Sequence, residues 1–193
     1  MVGALSQKAE QAYGRLLAPL LRDPATLVIV STDFCHWGTR FRYTPGLGSG
    51  DEAEDEDDDY NQQEEEEQQY DDDQYDDDDH HKPLYAKIKD LDEAGMVEIA
   101  NRDARGFANY LAETGNTICG RHPIAVLLHM LDEYSPRGAD TAAVGEGPGP
   151  GPSPGRVEIV WSRYAQSSAC RTSRDSSVSY AAAVVWESVK SDG

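Results

Sequence analysis

Residues Leu27 to Tyr43 read LVIVSTDFCHWGTRFRY, an apolar run followed at once by a dense cluster of acid, thiol, imidazole and aromatic groups. An apolar run of this length is the pattern of a strand buried on both faces, and in open α/β sheets ligands sit just beyond the carboxyl ends of such strands. The pattern therefore predicts a strand over Leu27 to Ser31 and sets Asp33, Cys35 and His36 where chemistry usually lies. A plainer alternative stands beside it, because an Asp directly after a strand is also a common cap or turn former.

The rest of the chain must supply the fold around that stretch. Its 193 residues suit one domain, although a hydrophobic content of 38% is low for one. The deficit is local. Between Asp51 and Asp79 there are 19 acidic residues and no Lys or Arg, which leaves 17 acids against 17 bases elsewhere; the whole formal charge of −19 belongs to one segment. Residues 46–81 cannot bury enough apolar area to offset their ordering entropy, so they are expected to form an acidic disordered insertion; a solvated loop without a role of its own is the favoured reading, with Tyr60, Tyr70 and Tyr75 as kinase or basic-partner sites the alternative. Outside it the chain is formally neutral. That balance argues against nucleic acid and against electrostatic docking on anionic membranes. No apolar run approaches a bilayer span and no signal-peptide core is evident, so the expectation is a soluble protein of the cytoplasm, with the nucleus also compatible.

Periodicity predicts the remaining elements. A helix is expected from Ser6 to about Arg22, stopped by Asp23-Pro24, and another from Pro83 to about Ala100. A third runs from Asp103 to Thr114 and stops at Gly115; a fourth opens at Pro123 and ends at Tyr134, before Pro136. His129 lies beside the apolar stripe of the fourth and reads as structural. Residues 138–155 are rich in Gly and Pro and read as a second flexible loop. Beyond it Val157, Ile159 and Trp161 alternate, as do Val178, Tyr180, Ala182, Val184 and Trp186, which predicts two strands. The fold class is thus α/β: a sheet with flanking helices, interrupted by two low-complexity insertions.

Three cysteines without tight spacing do not form a disulfide framework or a zinc ribbon. Cys35 and Cys170 read as inert buried thiols. Cys119 differs, since it lies in NTICGRHP directly before a helix, where the helix dipole and the charge of Arg121 favour a thiolate. Gly120 would let the backbone approach closely there. Spacing alone leaves this even with a small buried hydrophobe, and it does not show that Cys119 meets His36.

The strings STDFCHWGTRFRY, NTICGRHPI from Asn116 to Ile124, YAQSS from Tyr164 and DSSVSYAA ending at Ala182 closely resemble the Memo family, in the family's order. The resemblance covers the C-terminal half of a Memo-like domain, with MVGAL matching the middle of a Memo chain. It implies a fold similar to the non-haem iron extradiol dioxygenases and a pocket to which Asp33, His36 and Cys119 contribute. It also implies copper or iron there, held by the family's two N-terminal histidines with Cys119. Imidazole with thiolate suits Cu(I) and accepts Fe(II). Cys119 is then a direct ligand, His36 either a ligand or a proton relay, and Asp33 an orienting or deprotonating group, so that Asp33 and His36 are the candidate catalytic residues. The two N-terminal histidines are absent from this sequence, and His80, His81, His122 and His129 do not stand in matching contexts. The expectation is an incomplete metal site, a Leu27 to Ser31 strand short of partners, and oxidase- or dioxygenase-like activity only in a longer form. The family's association with receptor and cytoskeletal signalling implies an alternative: a non-catalytic adaptor for phosphorylated or acidic peptides, with Trp37, Arg40, Arg42, Arg121 and His122 as the binding rim.

Overall fold

The structure is a computed structural model that describes residues 3–45, 82–135 and 156–188. The expected acidic insertion at 46–81 and the Gly/Pro-rich loop at 138–155 lie outside the described residues.

Four helices form where capping and apolar spacing predict them. Helix α1 spans Gln7–Leu17 behind Ser6, whose hydroxyl accepts from the Ala9 N–H, and it runs on as a 3-10 turn over Ala18–Arg22. Asp23 ends it, and its carboxylate takes the Ala25 N–H and the Thr26 hydroxyl instead of letting the helix continue. Helix α2 spans Leu84–Ala100 behind Pro83, and α3 spans Ala104–Thr114. Asp103 caps α3 at the N–H groups of Arg105 and Gly106, and Gly115 closes it at φ 63°. Helix α4 spans Arg121–Tyr134 and is capped by Gly120, so it starts two residues before the expected Pro123. Pro123 falls instead within the first turn, where a missing N–H costs nothing. Among the described residues no helix is long and apolar enough to cross a membrane.

The sheet is antiparallel. Strand β1 is short, His36–Trp37; β2 spans Arg156–Gln166 and β3 spans Ser177–Ser188, in the order β1-β3-β2. His36 pairs with Val178, and the pairing is extended by bonds from Phe34 N–H to Ser179 O and from Ser179 N–H to Cys35 O, each 2.9 Å. The mixed α/β class is therefore present, and the strand pairing among the described residues is antiparallel. Leu27 to Ser31 is not a strand: it pairs with no strand among the described residues. Its burial alternates, with Leu27 and Ile29 about four-fifths exposed (82% and 79%) and Val28 and Val30 packed on the core. A buried strand needs partners on both sides, and where none is present the apolar run shows its outer residues to solvent.

The main core joins Phe34, Ile118, Val157 and Ile159 to the inner faces of the helices, at Ile99, Phe107, Ile124 and Leu128. A smaller cluster holds Cys35, Trp37, Ile88 and Cys170. In β2 the inward alternation of Val157, Ile159 and Trp161 is reset by an irregularity between Trp161 and Arg163, after which Tyr164 turns inward. In strand β3, Ser177, Ser179 and Ala181 face the helices while Tyr180, Val184 and Trp186 are exposed. The helix-facing side demands small side chains there, two of them polar.

Candidate metal centre

Two segments run side by side to build the site. The Gly120 N–H donates to Thr32 Oγ1 at 2.8 Å, and one turn of sequence away the His36 N–H donates to Thr117 Oγ1 at 2.8 Å, whose hydroxyl returns a bond to the His36 carbonyl at 3.1 Å. Gly120 makes this approach possible. A Cβ at that position would sit 2.3 Å from Thr32 Cβ and 2.4 Å from its Oγ1, well inside van der Waals contact. Gly120→Ala is accordingly expected to push the two segments apart and cost about 1–3 kcal/mol. The urea midpoint of the variant checks this, and an unchanged midpoint would contradict the close approach.

Between these two ties the Cys119 thiol faces the Asp33 backbone, and the Asp33 N–H donates to Cys119 Sγ at 3.2 Å. The ligand atoms of Asp33, His36 and Cys119 all lie within 4.8 Å of one another. His36 Nε2 is 3.7 Å from Asp33 Oδ2, too far for a hydrogen bond. That nitrogen is buried and has no hydrogen-bond partner among the described residues. A buried imidazole nitrogen left unsatisfied beside a carboxylate and a thiol is the arrangement a cation would complete. The donor set of nitrogen, sulfur and oxygen fits a transition metal, copper and Fe(II) among them, and does not fit Mg²⁺ or Ca²⁺, which want oxygen throughout.

The His36 ring is fixed from outside. Phe41 meets it edge-on with centroids 5.1 Å apart at 88°, and the Arg40 guanidinium lies 4.4 Å from the Phe41 ring centre. Arg42 ends that short turn in a left-handed conformation, φ 56°, and is exposed. Of the remaining rim candidates, Arg121 is exposed on the first turn of α4, whereas His122 Nδ1 is 2.6 Å from Glu10 Oε1 on α1 and stands outside the cluster. Trp37 is not on any rim. It is completely buried with Cys35, Ile88 and Cys170, because period two from the half-buried His36 turns its neighbour inward. Cys35 and Cys170 are fully buried, and burial pushes both thiols up, Cys35 further still through the nearby Asp92 charge. They are inert at neutral pH.

Sequence reasoning did not single out Thr32, Asn116, Thr117 or Asp92. Asp92 is wholly buried on α2, on the same stripe as Ile88, Met96 and Ile99, and an acid on a buried stripe is the signal that was available. Its carboxylate accepts from the Cys35 N–H at 3.1 Å, Asn116 Nδ2 at 3.0 Å and the Tyr164 hydroxyl at 2.9 Å. Desolvation pushes its pKa up, against the opposing pull of these bonds and of Ser179. A raised folded-state value means that the proton is held more tightly when folded. As pH falls from that value towards the ordinary carboxylate value of about 4, protonation should therefore add stability. The stability difference between the unaltered chain and Asp92→Asn, which cannot titrate, is expected to move in favour of the unaltered chain over that window. A difference constant with pH would contradict the raised value.

A mixed α/β protein with a carboxylate, an imidazole and a thiol converging where two loops touch belongs to the class of candidate metal-binding proteins. A family model described as Memo-like protein matches residues 1–184. Protein MEMO1 of Danio rerio is 40% identical over 182 residues, which is 94% of this chain and 46% of the relative. Protein MEMO1 of Homo sapiens is 37% identical over the same extent, and the Protein memo-1 homolog of Caenorhabditis elegans is 30% identical over 186 residues, 40% of its length. The chain belongs to the Memo family, and it spans less than half the length of these relatives.

Proposed function

We propose that this chain carries one wall of a copper- or iron-binding redox site, with Cys119 and His36 as ligands and Asp33 as the adjoining proton-handling group. The observation that supports it most is the buried, unpartnered His36 Nε2 within 4.8 Å of ligand atoms from Asp33 and Cys119.

The residues divide the work by their chemistry. Cys119 would hold the metal through its sulfur, and the Asp33 N–H bonded to that sulfur would offset part of the negative charge gathered there. His36 presents Nε2 from a ring whose tilt Phe41 fixes. Asp33 Oδ2, close to that nitrogen and partly exposed, can take a proton from a group bound alongside and release it to solvent. Bound copper or iron would supply one-electron chemistry towards oxygen, superoxide or a small phenolic substrate. Two ligands leave room for further ones, and the family resemblance supplies them as two histidines from the part of the relatives that this chain does not span.

The test is metal retention after anaerobic loading with Cu(I) or Fe(II) and gel filtration. Retained metal that is lost in Cys119→Ala supports the reading; no retention, or equal retention in the variant, overturns it. The adaptor alternative keeps Arg40 and Arg42 as exposed cations for an acidic peptide but loses Trp37, its aromatic anchor, to the core.

A further inference from the structure

We infer that Asp92 is a positioning residue of this site: beside the direct ties through Thr32 and Thr117, one buried carboxylate holds both the Asp33–His36 segment and the Asn116–Cys119 loop and helps to set the spacing at which the three candidate ligands meet. The inference rests on the metal-binding reading above.

The geometry is that of a single clamp with two jaws. Asp92 Oδ1 accepts both from the Cys35 N–H, between Asp33 and His36, and from Asn116 Nδ2, three residues before Cys119. Its other oxygen, Oδ2, accepts from Tyr164, whose hydroxyl in turn takes a bond from Gln166 Nε2 at 2.9 Å. Asn116 is braced separately: its Nδ2 also reaches the Tyr110 hydroxyl at 2.6 Å, which donates to the Leu91 carbonyl at 2.8 Å and so returns to α2 beside Asp92. Apolar packing of Phe34 on Met96 and Ile99, and of Cys35 and Trp37 on Ile88, also joins the first segment to helix α2, but the hydrogen bonds that reach α2 from the two site segments end on this carboxylate or pass through Tyr110. A buried charge is a poor source of stability, and apolar replacements of buried charges are often neutral or better. What a wholly buried carboxylate does supply is a fixed distance between two loops, which a metal site needs and a hydrophobic contact would not specify.

Cobalt(II) titration of the full 193-residue chain tests this, because a thiolate-to-cobalt absorption band reports Cys119 ligation directly. Asp92→Ala is expected to weaken cobalt binding by roughly 10–100-fold and to shrink the band, as outer-shell losses do. Asp92→Asn keeps an acceptor oxygen for both jaws and should hold the unaltered affinity, a rescue that general destabilisation would not produce. Asn116→Ala frees the Cys119 jaw alone and should weaken binding likewise, which keeps the test decisive if Asp92→Ala loses its cooperative unfolding transition. If the unaltered chain binds cobalt through Cys119 and both alanine variants bind as tightly, the clamp is overturned and the metal reading stands. If the unaltered chain shows no Cys119-dependent band, the metal reading falls and the clamp with it.

Discussion

A Phe34→Ala chain is expected to lose about 3–5 kcal/mol of stability, a large part of the roughly 5–15 kcal/mol that holds a domain of this size together. Phe34 is 1% exposed and lies in the main core with residues of α2, α3, α4 and β2. Its ring meets Trp161 edge-on at 5.7 Å and 84°, a contact that adds to its area burial. Phe34 also stands between Asp33 and Cys35, and its N–H is bonded to Ser179, so a cavity there would loosen the segment that carries the site. Urea unfolding followed by tryptophan fluorescence should show a far lower midpoint. A shift below about 1 kcal/mol would place Phe34 outside a packed core.

The second large effect concerns Cys119. Replacing it by Ser keeps a small polar side chain that can still accept from the Asp33 N–H, so the fold should be preserved. The soft thiolate is gone, and a serine hydroxyl is not ionised at neutral pH. Affinity for Cu(I) should fall by more than the roughly 10–100-fold expected when an outer-shell partner is removed. His36→Ala should cost less, because the thiolate remains. Competition with a coloured Cu(I) chelator measures both. Equal affinities in Cys119→Ser and the unaltered chain would remove the sulfur from the site.

The helices were legible because their signals are local. Ser6, Asp103 and Gly115 cap as their residue types dictate, and the stripes through Ile88, Phe107 and Ile124 are buried. Gly120 was legible as a place where the backbone could approach closely, although glycine is also an ordinary cap before a helix, and Thr32 is what approaches. Leu27 to Ser31 was not, because an apolar run becomes a strand only when a partner is present, and partner availability is not written in the run. Strand β3 was legible as a strand but not in its facing: alternation marks two faces without saying which one the helices cover, and Ser177 and Ser179 took the inner side. Trp37 failed for a related reason, as an aromatic beside a functional histidine reads as a rim anchor until β-pairing turns it inward. Asp92 escaped because an acid within an apolar stripe looks like surface until its three donors, from three other segments, are seen to converge. The grouping of Asp33 and His36 with Cys119 came from the family resemblance, since no spacing rule joins residues on opposite sides of α2 and α3.

Extended X-ray absorption fine structure at the copper or iron edge of the loaded protein is the most direct measurement of the proposed centre. Expected is one sulfur scatterer among lighter nitrogen and oxygen neighbours, lost in Cys119→Ser while the imidazole scattering persists. A shell of nitrogen and oxygen only, identical in the unaltered and Cys119→Ser proteins, would mean that the metal does not bind where Asp33, His36 and Cys119 converge.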